Sequence, residues 1–228
     1  DIDAIKQATN DKTCAVMLEP VQGEGGVNVP SADYLRQVRE WCDSQNLVMI
    51  LDEVQTGIGR LGSLFGYQQF GVEPDAITLA KGLGGGVPIG AFMAKEQFCV
   101  LEPGDHGSTF GGNALTCAGA HATVDYVINN NVLSNVVEMG NYLRAGLDRL
   151  ISRYEFITEI RGTGLLLALQ FNSDVTPQVV AMCNEEGLLL NPLRPNAVRL
   201  MPPLTVSKGE IDSALECLNN VLAKVTFS

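Results

Sequence analysis

Short, continuously apolar segments alternate with segments of helical periodicity along the first part of the chain. Residues 14–18, 47–51 and 76–80 are such apolar runs, and residues 31–46 carry apolar side chains at helical spacing. Strands that are apolar on both faces are typical of parallel sheets covered by helices. The sequence therefore predicts an α/β fold with a largely parallel sheet and flanking helices.

The pattern changes after the asparagine run at 129–131. Before it, residues 90–94 predict another strand, and residues 113–130 predict a helix rich in small residues that we expect to be packed inside. After it, the sequence predicts a smaller α+β domain. Its predicted helices are 132–154, 177–186 and 208–224, and its predicted strands are 156–160, 165–171 and two short ones near Leu188 and Val198. We place the domain boundary at residue 131, giving domains 1–131 and 132–228.

Composition excludes several classes of partner. The chain has 15 basic and 26 acidic residues and a net charge of −11, which disfavours nucleic acid and anionic membranes. No apolar run reaches the roughly 18 residues of a membrane span, and the first residues lack the character of a signal peptide. The six cysteines form no C-x-x-C pair, so we predict no metal site and expect reduced, mostly buried thiols in a cytoplasmic protein.

Two predicted strands end in an ionisable residue. Asp52 follows residues 47–51, and Lys81 follows residues 76–80 and precedes a turn with four glycines in five positions. Ligands of open α/β sheets bind beyond the carboxyl ends of strands. Lys81 could be a surface lysine before a flexible turn. It does not fit a phosphate-binding P-loop, which has its glycines before the lysine. A Schiff-base lysine is the third interpretation, and Asp52 favours it because pyridoxal phosphate (PLP) needs a carboxylate that keeps its ring nitrogen protonated.

A glycine motif at 57–62 offers a different interpretation. It matches G-x-G-x-x-G, the pattern of dinucleotide-binding turns. Five residues separate it from the preceding strand, however, and the residues after Gly62 have little helical character. A non-enzymatic nucleotide-binding α/β domain therefore remains only a distant alternative.

Six segments together resemble the class III aminotransferases of PLP fold type I, and within them the acetylornithine aminotransferase group. They occur in the family's order and cover nearly the whole chain. These segments are LEPVQGEGG at 18–26, LDEVQTG at 51–57, LAKGLGGG at 79–86, HGSTFGGN at 106–113, IRGTGL at 160–165 and VRLMPPL at 198–204.

The resemblance implies a role for each residue of a PLP site. Lys81 would bind the cofactor covalently and transfer protons, and Asp52 would pair with its ring nitrogen. Val54 would pack on the ring, and Gln55 would hydrogen-bond the phenolic oxygen. The remaining cofactor contacts would come from a homodimer, in which Thr109, with Ser108, reaches the phosphate of the PLP in the neighbouring subunit.

The resemblance also implies how substrates bind. Arg199 would hold the α-carboxylate of glutamate or 2-oxoglutarate, and Glu24 would neutralise Arg199 when the other substrate is bound. A plain structural ion pair between Glu24 and Arg199 is the alternative. The implied reaction transfers the terminal amino group of N-acetylornithine to 2-oxoglutarate in arginine biosynthesis.

Related activities share most of these motifs. Ornithine, γ-aminobutyrate, succinylornithine or carrier-bound lysine are alternative amino donors, and an aminomutase of the same fold is another possibility. Family members carry a long N-terminal portion that holds the phosphate-binding loop. We expect this chain to be a C-terminal fragment that lacks this portion and has no useful transaminase rate alone.

Overall fold

A computed structural model describes residues 1–227, which form two compact units. The first comprises residues 1–20, 30–59 and 63–130. The second contains the chain from 131 onward, together with the short segments 21–29 and 60–62. The domain division at residue 131 stays a prediction.

The first unit is built on a four-stranded sheet with strand order β1-β2-β3-β4. Strands β1, β2 and β3 are parallel, and β4 is antiparallel to β3. The α/β fold with a largely parallel sheet is thus confirmed. Its elements are α1 (Ile2–Ala8), β1 (Ala15–Leu18), α2 (Tyr34–Gln45), β2 (Val48–Asp52), β3 (Ala76–Leu79), β4 (Ala91–Ala94) and α3 (Ala114–Asn129), with short 3₁₀ helices at Gly66–Phe70, Lys81–Gly84 and Glu96–Phe98.

The second unit contains an antiparallel sheet with strand order β5-β6-β8-β7. Strands β6 and β8 form its centre, and residues Leu166 to Leu169 of β6 are at most 1% exposed. Helix α4 buries Val136, Leu143 and Leu147 along one side, as its apolar periodicity predicts. The elements are α4 (Val132–Arg153), β5 (Ile157–Thr163), β6 (Leu166–Phe171), α5 (Thr176–Glu185), β7 (Asn191–Leu193), β8 (Ala197–Leu200) and α6 (Lys208–Leu222).

The prediction that α3 is packed inside is wrong for this chain. Only Thr116, Ala120 and Val127 are buried, and they occupy one narrow face of the helix. Leu115 and Tyr126 are 74% and 51% exposed. Small residues allow close approach on the face that packs, and they do not require the other faces to be covered.

The prediction that most cysteines are buried is also wrong. All six are free, but only Cys42 and Cys183 are buried, whereas Cys14, Cys99 and Cys117 are exposed. Cys14 precedes an edge strand and Cys99 follows a short 3₁₀ helix, so neither lies on a face that packs into the core.

Some element boundaries differ from the sequence pattern. Helix α2 begins at Tyr34, a few residues later than predicted, after a turn at 32–33. The strand expected near Leu188 begins at Asn191, because the Leu188 amide still donates to the Cys183 carbonyl at the end of α5. No helix among residues 1–227 has both the length and the apolarity of a membrane span.

Candidate active site

The two ionisable residues predicted at strand ends lie at the same edge of the parallel sheet. Asp52 is the last residue of β2, and its register partner is Thr78 in β3. Lys81 follows Thr78 by three residues. Because β2 and β3 are parallel, their carboxyl ends deliver a carboxylate and an amine to neighbouring positions at one edge.

The backbone of Lys81 is strained. Its φ is +42°, in the left-handed region that residues with a Cβ rarely adopt. Such strain costs about 1–3 kcal/mol and is concentrated at functional sites. The Lys81 side chain is exposed in this chain, so the strained backbone, and not burial, distinguishes it from other lysines.

Helix α3 packs closely against the turn that follows Lys81. A Cβ on Gly85, whose φ is +60°, would collide with the Thr123 hydroxyl of α3. A Cβ on Gly119 of α3 would lie 3.1 Å from a methyl group of Val87. Glycines at these positions therefore let the helix and the turn approach, which holds the backbone next to Lys81.

Lys81 and Ser108 line one cavity of about 690 Å³. Its other walls come from the segment 86–90, from 110–112 and from Thr116. The Ser108 oxygen accepts a hydrogen bond from the Gly111 amide at 3.0 Å, and Thr109 is exposed. The structure thus brings Ser108 and Lys81 of one chain together, and Thr109 does not line this cavity.

A compact turn carries the three other predicted cofactor contacts. The Asp52 carboxylate accepts a hydrogen bond from the Val54 amide at 2.9 Å, which fixes the start of the turn. Val54 is half-buried, and Gln55 is only 8% exposed. The chain then closes on itself, because the Gly57 amide donates to the Glu53 carbonyl at 2.9 Å.

Glu53, for which the sequence predicts no role, is the most buried charged side chain of this turn, at 1% exposure. Its carboxylate accepts hydrogen bonds from the Thr56 hydroxyl at 2.5 Å and from the amides of Gly66 and Tyr67, each at 2.8 Å. Burial raises the pKa of Glu53, although these three donors act in the opposite direction. The one sequence feature that could have pointed to Glu53 as a site residue is its position next to Asp52.

The donor set at this sheet edge fits PLP. It offers an amine for the aldehyde, a carboxylate for the ring nitrogen and a nearby amide side chain. In addition, the Thr78 hydroxyl is buried and has no hydrogen-bond partner among residues 1–227. A buried hydroxyl is normally satisfied, so a bound polar group beside Asp52 and Thr78 is chemically reasonable.

The second unit contains the predicted substrate residues as an ion pair. Nη1 of Arg199, on β8, donates to Oε1 of Glu24 at 2.9 Å. The Arg199 side chain is 9% exposed, whereas that of Glu24 is 71% exposed. The guanidinium is therefore fixed in the protein, and its carboxylate partner lies largely in solvent.

Arg161 holds the segment that carries Glu24. Its Nε donates to the Gly26 carbonyl at 3.0 Å, and its Nη1 contacts the side chains of Glu159 and Gln170 at 2.9 and 3.0 Å. Arg161 lies on β5, within the same unit as Glu24. The loop bearing the acidic partner of Arg199 is thus tied to the antiparallel sheet.

The glycine motif at 57–62 does not form a dinucleotide-binding turn. Such a turn requires an α-helix that begins at the last glycine. The residues after Gly62 instead form bends until the 3₁₀ helix Gly66–Phe70. The guanidinium of Arg60 donates to the carbonyls of Leu165 and Pro202, so Arg60 has a structural role within the second unit.

Comparison with known proteins identifies one family. The sequence pattern that defines the class-III aminotransferase family matches residues 1–222. The chain is 48% identical over 227 residues to the acetylornithine aminotransferase of Caldanaerobacter subterraneus subsp. tengcongensis, covering all of this chain and 58% of that protein. It is 46% identical over 228 residues to that of Methanocaldococcus jannaschii, covering 99% of this chain and 56% of that protein. The chain thus spans a little more than half the length of these relatives.

Solved structures give the same result. An ornithine aminotransferase from Toxoplasma gondii, with partial occupancy of PLP at its active site, matches with a TM-score of 0.93 and 38% identity. The match covers 98% of this chain and 54% of that one. An acetylornithine aminotransferase from Elizabethkingia anophelis matches with a TM-score of 0.92 and 36% identity, over 99% of this chain and 58% of that one.

Proposed function

This chain belongs to the class-III aminotransferases, a family of PLP-dependent enzymes, and we propose that it forms the part of such an enzyme that binds the cofactor's reactive end. The proposed reaction moves the terminal amino group of N-acetylornithine to 2-oxoglutarate, a step of arginine biosynthesis. The observation that carries this proposal is that two neighbouring parallel strands place Asp52 at the end of β2 and a strained Lys81 just beyond the end of β3.

Four residues of the first unit would hold PLP. Lys81 would bind its aldehyde carbon, Asp52 its ring nitrogen, Val54 its ring face and Gln55 its phenolic oxygen. When bound, PLP supplies an electron sink that stabilises negative charge on the substrate carbon bearing the amine. The turn from Asp52 to Gly57, closed by its own hydrogen bonds, would orient the last three of these contacts.

Lys81 would also move the proton of the reaction. Its Nζ, when not bonded to the cofactor, is an amine at the end of a flexible stem whose backbone begins the 3₁₀ helix Lys81–Gly84, just after β3. It would remove the proton from the substrate carbon that bears the amine and hold it on Nζ for return later in the same half-reaction. In the second half of the reaction, with 2-oxoglutarate, the same proton movement would run in reverse.

Arg199 would distinguish the two substrates. Its planar guanidinium can bind the α-carboxylate of glutamate or 2-oxoglutarate through two parallel hydrogen bonds. Because Glu24 is largely exposed, it could leave Arg199 when a substrate carboxylate arrives and return when N-acetylornithine binds. The alternative, a purely structural ion pair, predicts no effect of Glu24 on substrate preference.

We propose a homodimer as the working unit and the cytoplasm as its location. Six free cysteines, three of them exposed, support a reducing compartment. In a dimer, Ser108 and Thr109 would reach the phosphate of the partner's PLP. The cavity shared by Ser108 and Lys81 allows a second arrangement, in which Ser108 serves its own chain.

A panel of amino donors tests the proposed reaction. The full-length protein, loaded with PLP, would be given 2-oxoglutarate and N-acetylornithine, ornithine, N-succinylornithine, γ-aminobutyrate or carrier-bound lysine, with glutamate as the readout. Ornithine is the main competitor, because ornithine aminotransferases are among the similar structures. The highest kcat/KM is expected with N-acetylornithine, and the Lys81→Ala variant serves as the blank. Preference for another donor would contradict the proposed substrate, and absence of glutamate with every donor would contradict transamination.

A further inference from the structure

Glu53 is a buried carboxylate for which the proposed reaction has no use. It is 1% exposed, and no lysine or arginine among residues 1–227 forms an ion pair with it. Removing a carboxylate from water without a cation is costly unless hydrogen bonds replace the lost solvation. Its neighbour Asp52 adds negative charge nearby. A buried carboxylate of this kind is expected where its hydrogen bonds hold a local structure that the protein needs.

The hydrogen bonds of Glu53 join chain segments that are distant in sequence. Its side chain accepts from Thr56, three residues on, and from the backbone of Gly66 and Tyr67, thirteen and fourteen residues on. Its own amide donates to the Thr78 carbonyl at 3.0 Å, which extends the pairing of β2 with β3 by one residue. Glu53 thus ties together the ends of both strands and the 3₁₀ helix Gly66–Phe70.

The position of Glu53 makes this tie relevant to the cofactor. Asp52 precedes it, and Val54 and Gln55 follow it, so the three proposed PLP contacts of this turn flank one anchored residue. A catalytic contact must be held within about 0.5 Å of its productive position, and the supporting hydrogen bonds determine whether it is. The side chains of residues 52, 54 and 55 can keep their places only while residue 53 keeps its own.

We propose that Glu53 is a positioning residue that fixes the turn from Asp52 to Thr56, and thereby sets how Asp52 and Gln55 engage PLP. This inference rests on the proposed function, because it assigns Glu53 a task only if PLP binds at Lys81. Glu53 itself touches neither the cofactor nor the substrate. Its effect is carried through the backbone of its two neighbours.

The Glu53→Gln substitution is the sharpest test, because it keeps the shape and removes the charge. One carboxylate oxygen accepts from Gly66 and the other from Tyr67. An amide has only one acceptor oxygen, so its NH₂ group would face one of these N–H donors in either orientation. Glu96→Gln, at an exposed site of the same unit, is the matched control for the loss of charge.

The measurements use the full-length enzyme loaded with PLP. For Glu53→Gln we expect kcat to fall about 100-fold with little change in KM, as a small misplacement of reacting groups does. We also expect faster loss of PLP on dialysis and a shifted pH midpoint of the visible absorbance of the bound cofactor. Glu96→Gln should match the unsubstituted enzyme. Thermal unfolding of each variant reports whether it is folded.

A second pair of variants covers the case in which Glu53→Gln does not fold. Thr56→Val removes one of the three donors, and Thr56→Ser restores it. We expect Thr56→Val to shift the absorbance midpoint in the same direction and Thr56→Ser to return it. A folded Glu53→Gln variant with unaltered kcat, PLP retention and midpoint would overturn the proposed role of Glu53. If Glu53→Gln does not fold, a Thr56→Val variant with an unaltered midpoint would do the same. Either result would leave the proposed function intact. An unsubstituted enzyme that holds no PLP would overturn the proposed function and this inference with it.

Discussion

The Arg199 guanidinium donates to the Glu24 carboxylate across 2.9 Å, although 175 positions separate the two residues. The pair is asymmetric, because Arg199 is almost enclosed and Glu24 is mostly in water. Moving Glu24 away places an already exposed carboxylate fully in water, whereas Arg199 stays enclosed and loses this anionic partner. This asymmetry is what a residue that yields to an incoming substrate carboxylate requires.

Glu24→Gln should therefore change substrate preference. The new amide keeps an acceptor oxygen for the Arg199 N–H but leaves an almost enclosed guanidinium without this anion, so the free energy of unfolding should fall by about 1–3 kcal/mol. The KM for 2-oxoglutarate should fall several-fold, because Glu24 no longer competes for Arg199, and the KM for N-acetylornithine should rise. Steady-state kinetics of the full-length enzyme with both substrates checks this. Equal changes for both substrates, or none, would support the plain structural ion pair.

The backbone conformation at position 81 should make glycine more stable there than a residue with a Cβ. The Lys81 φ of +42° is strained for any residue with a Cβ and relaxed for glycine. Lys81→Gly should be more stable than Lys81→Ala by about 1 kcal/mol. Chemical denaturation of the two variants without cofactor measures the difference, and neither variant has the amine. Equal stabilities would mean that the strain is not present in solution.

Gly85 and Gly71 form a matched pair for the packing of α3 on the turn after Lys81. Both have left-handed backbones, with φ of +60° and +63°, but a Cβ on Gly71 would meet nothing within 4 Å, whereas one on Gly85 would collide with Thr123. Gly71→Ala should cost about 1 kcal/mol from its backbone alone. Gly85→Ala should cost about 1–3 kcal/mol more, as overpacking does. Chemical denaturation of both variants measures the two costs. Equal costs would show that α3 does not pack tightly against this turn.

Cys183 should make the free energy of unfolding fall as the pH rises into the alkaline range. Burial raises the pKa of its thiol to about 12, from an ordinary value of 9.0. The folded state therefore keeps this proton where the unfolded state releases it. The resulting stabilisation is complete below pH 9 and is lost as the pH rises through 12. Cys183→Ala should flatten the fall of unfolding free energy between pH 9 and 11, after its constant cavity cost is subtracted. An unchanged slope would contradict a buried, protonated Cys183.

The strand ends were predictable from the sequence because the signals there are local. Apolar runs identified β2 and β3, and the residues that follow them identified Asp52 and Lys81 as neighbours at one edge. The glycines among residues 82–86 were also visible in the sequence, but only the structure shows that α3 packs against this turn.

The rest of the site depends on contacts between distant residues. The role of Glu53 is set by the amides of Gly66 and Tyr67, and no local pattern indicates that they turn toward it. The burial of α3 and of the cysteines depends on what packs against each face, which composition does not determine. The left-handed backbone of Lys81 is visible only in three dimensions, since lysine gives no signal for it.

Borohydride reduction of the full-length protein, loaded with PLP, tests the central claim most directly. Reduction fixes the cofactor to the amine that holds it, and peptide mapping then identifies that amine. The label should lie on Lys81 alone and should be absent from the Lys81→Ala variant. Label on any other lysine, or a protein that takes up no PLP, would contradict the account.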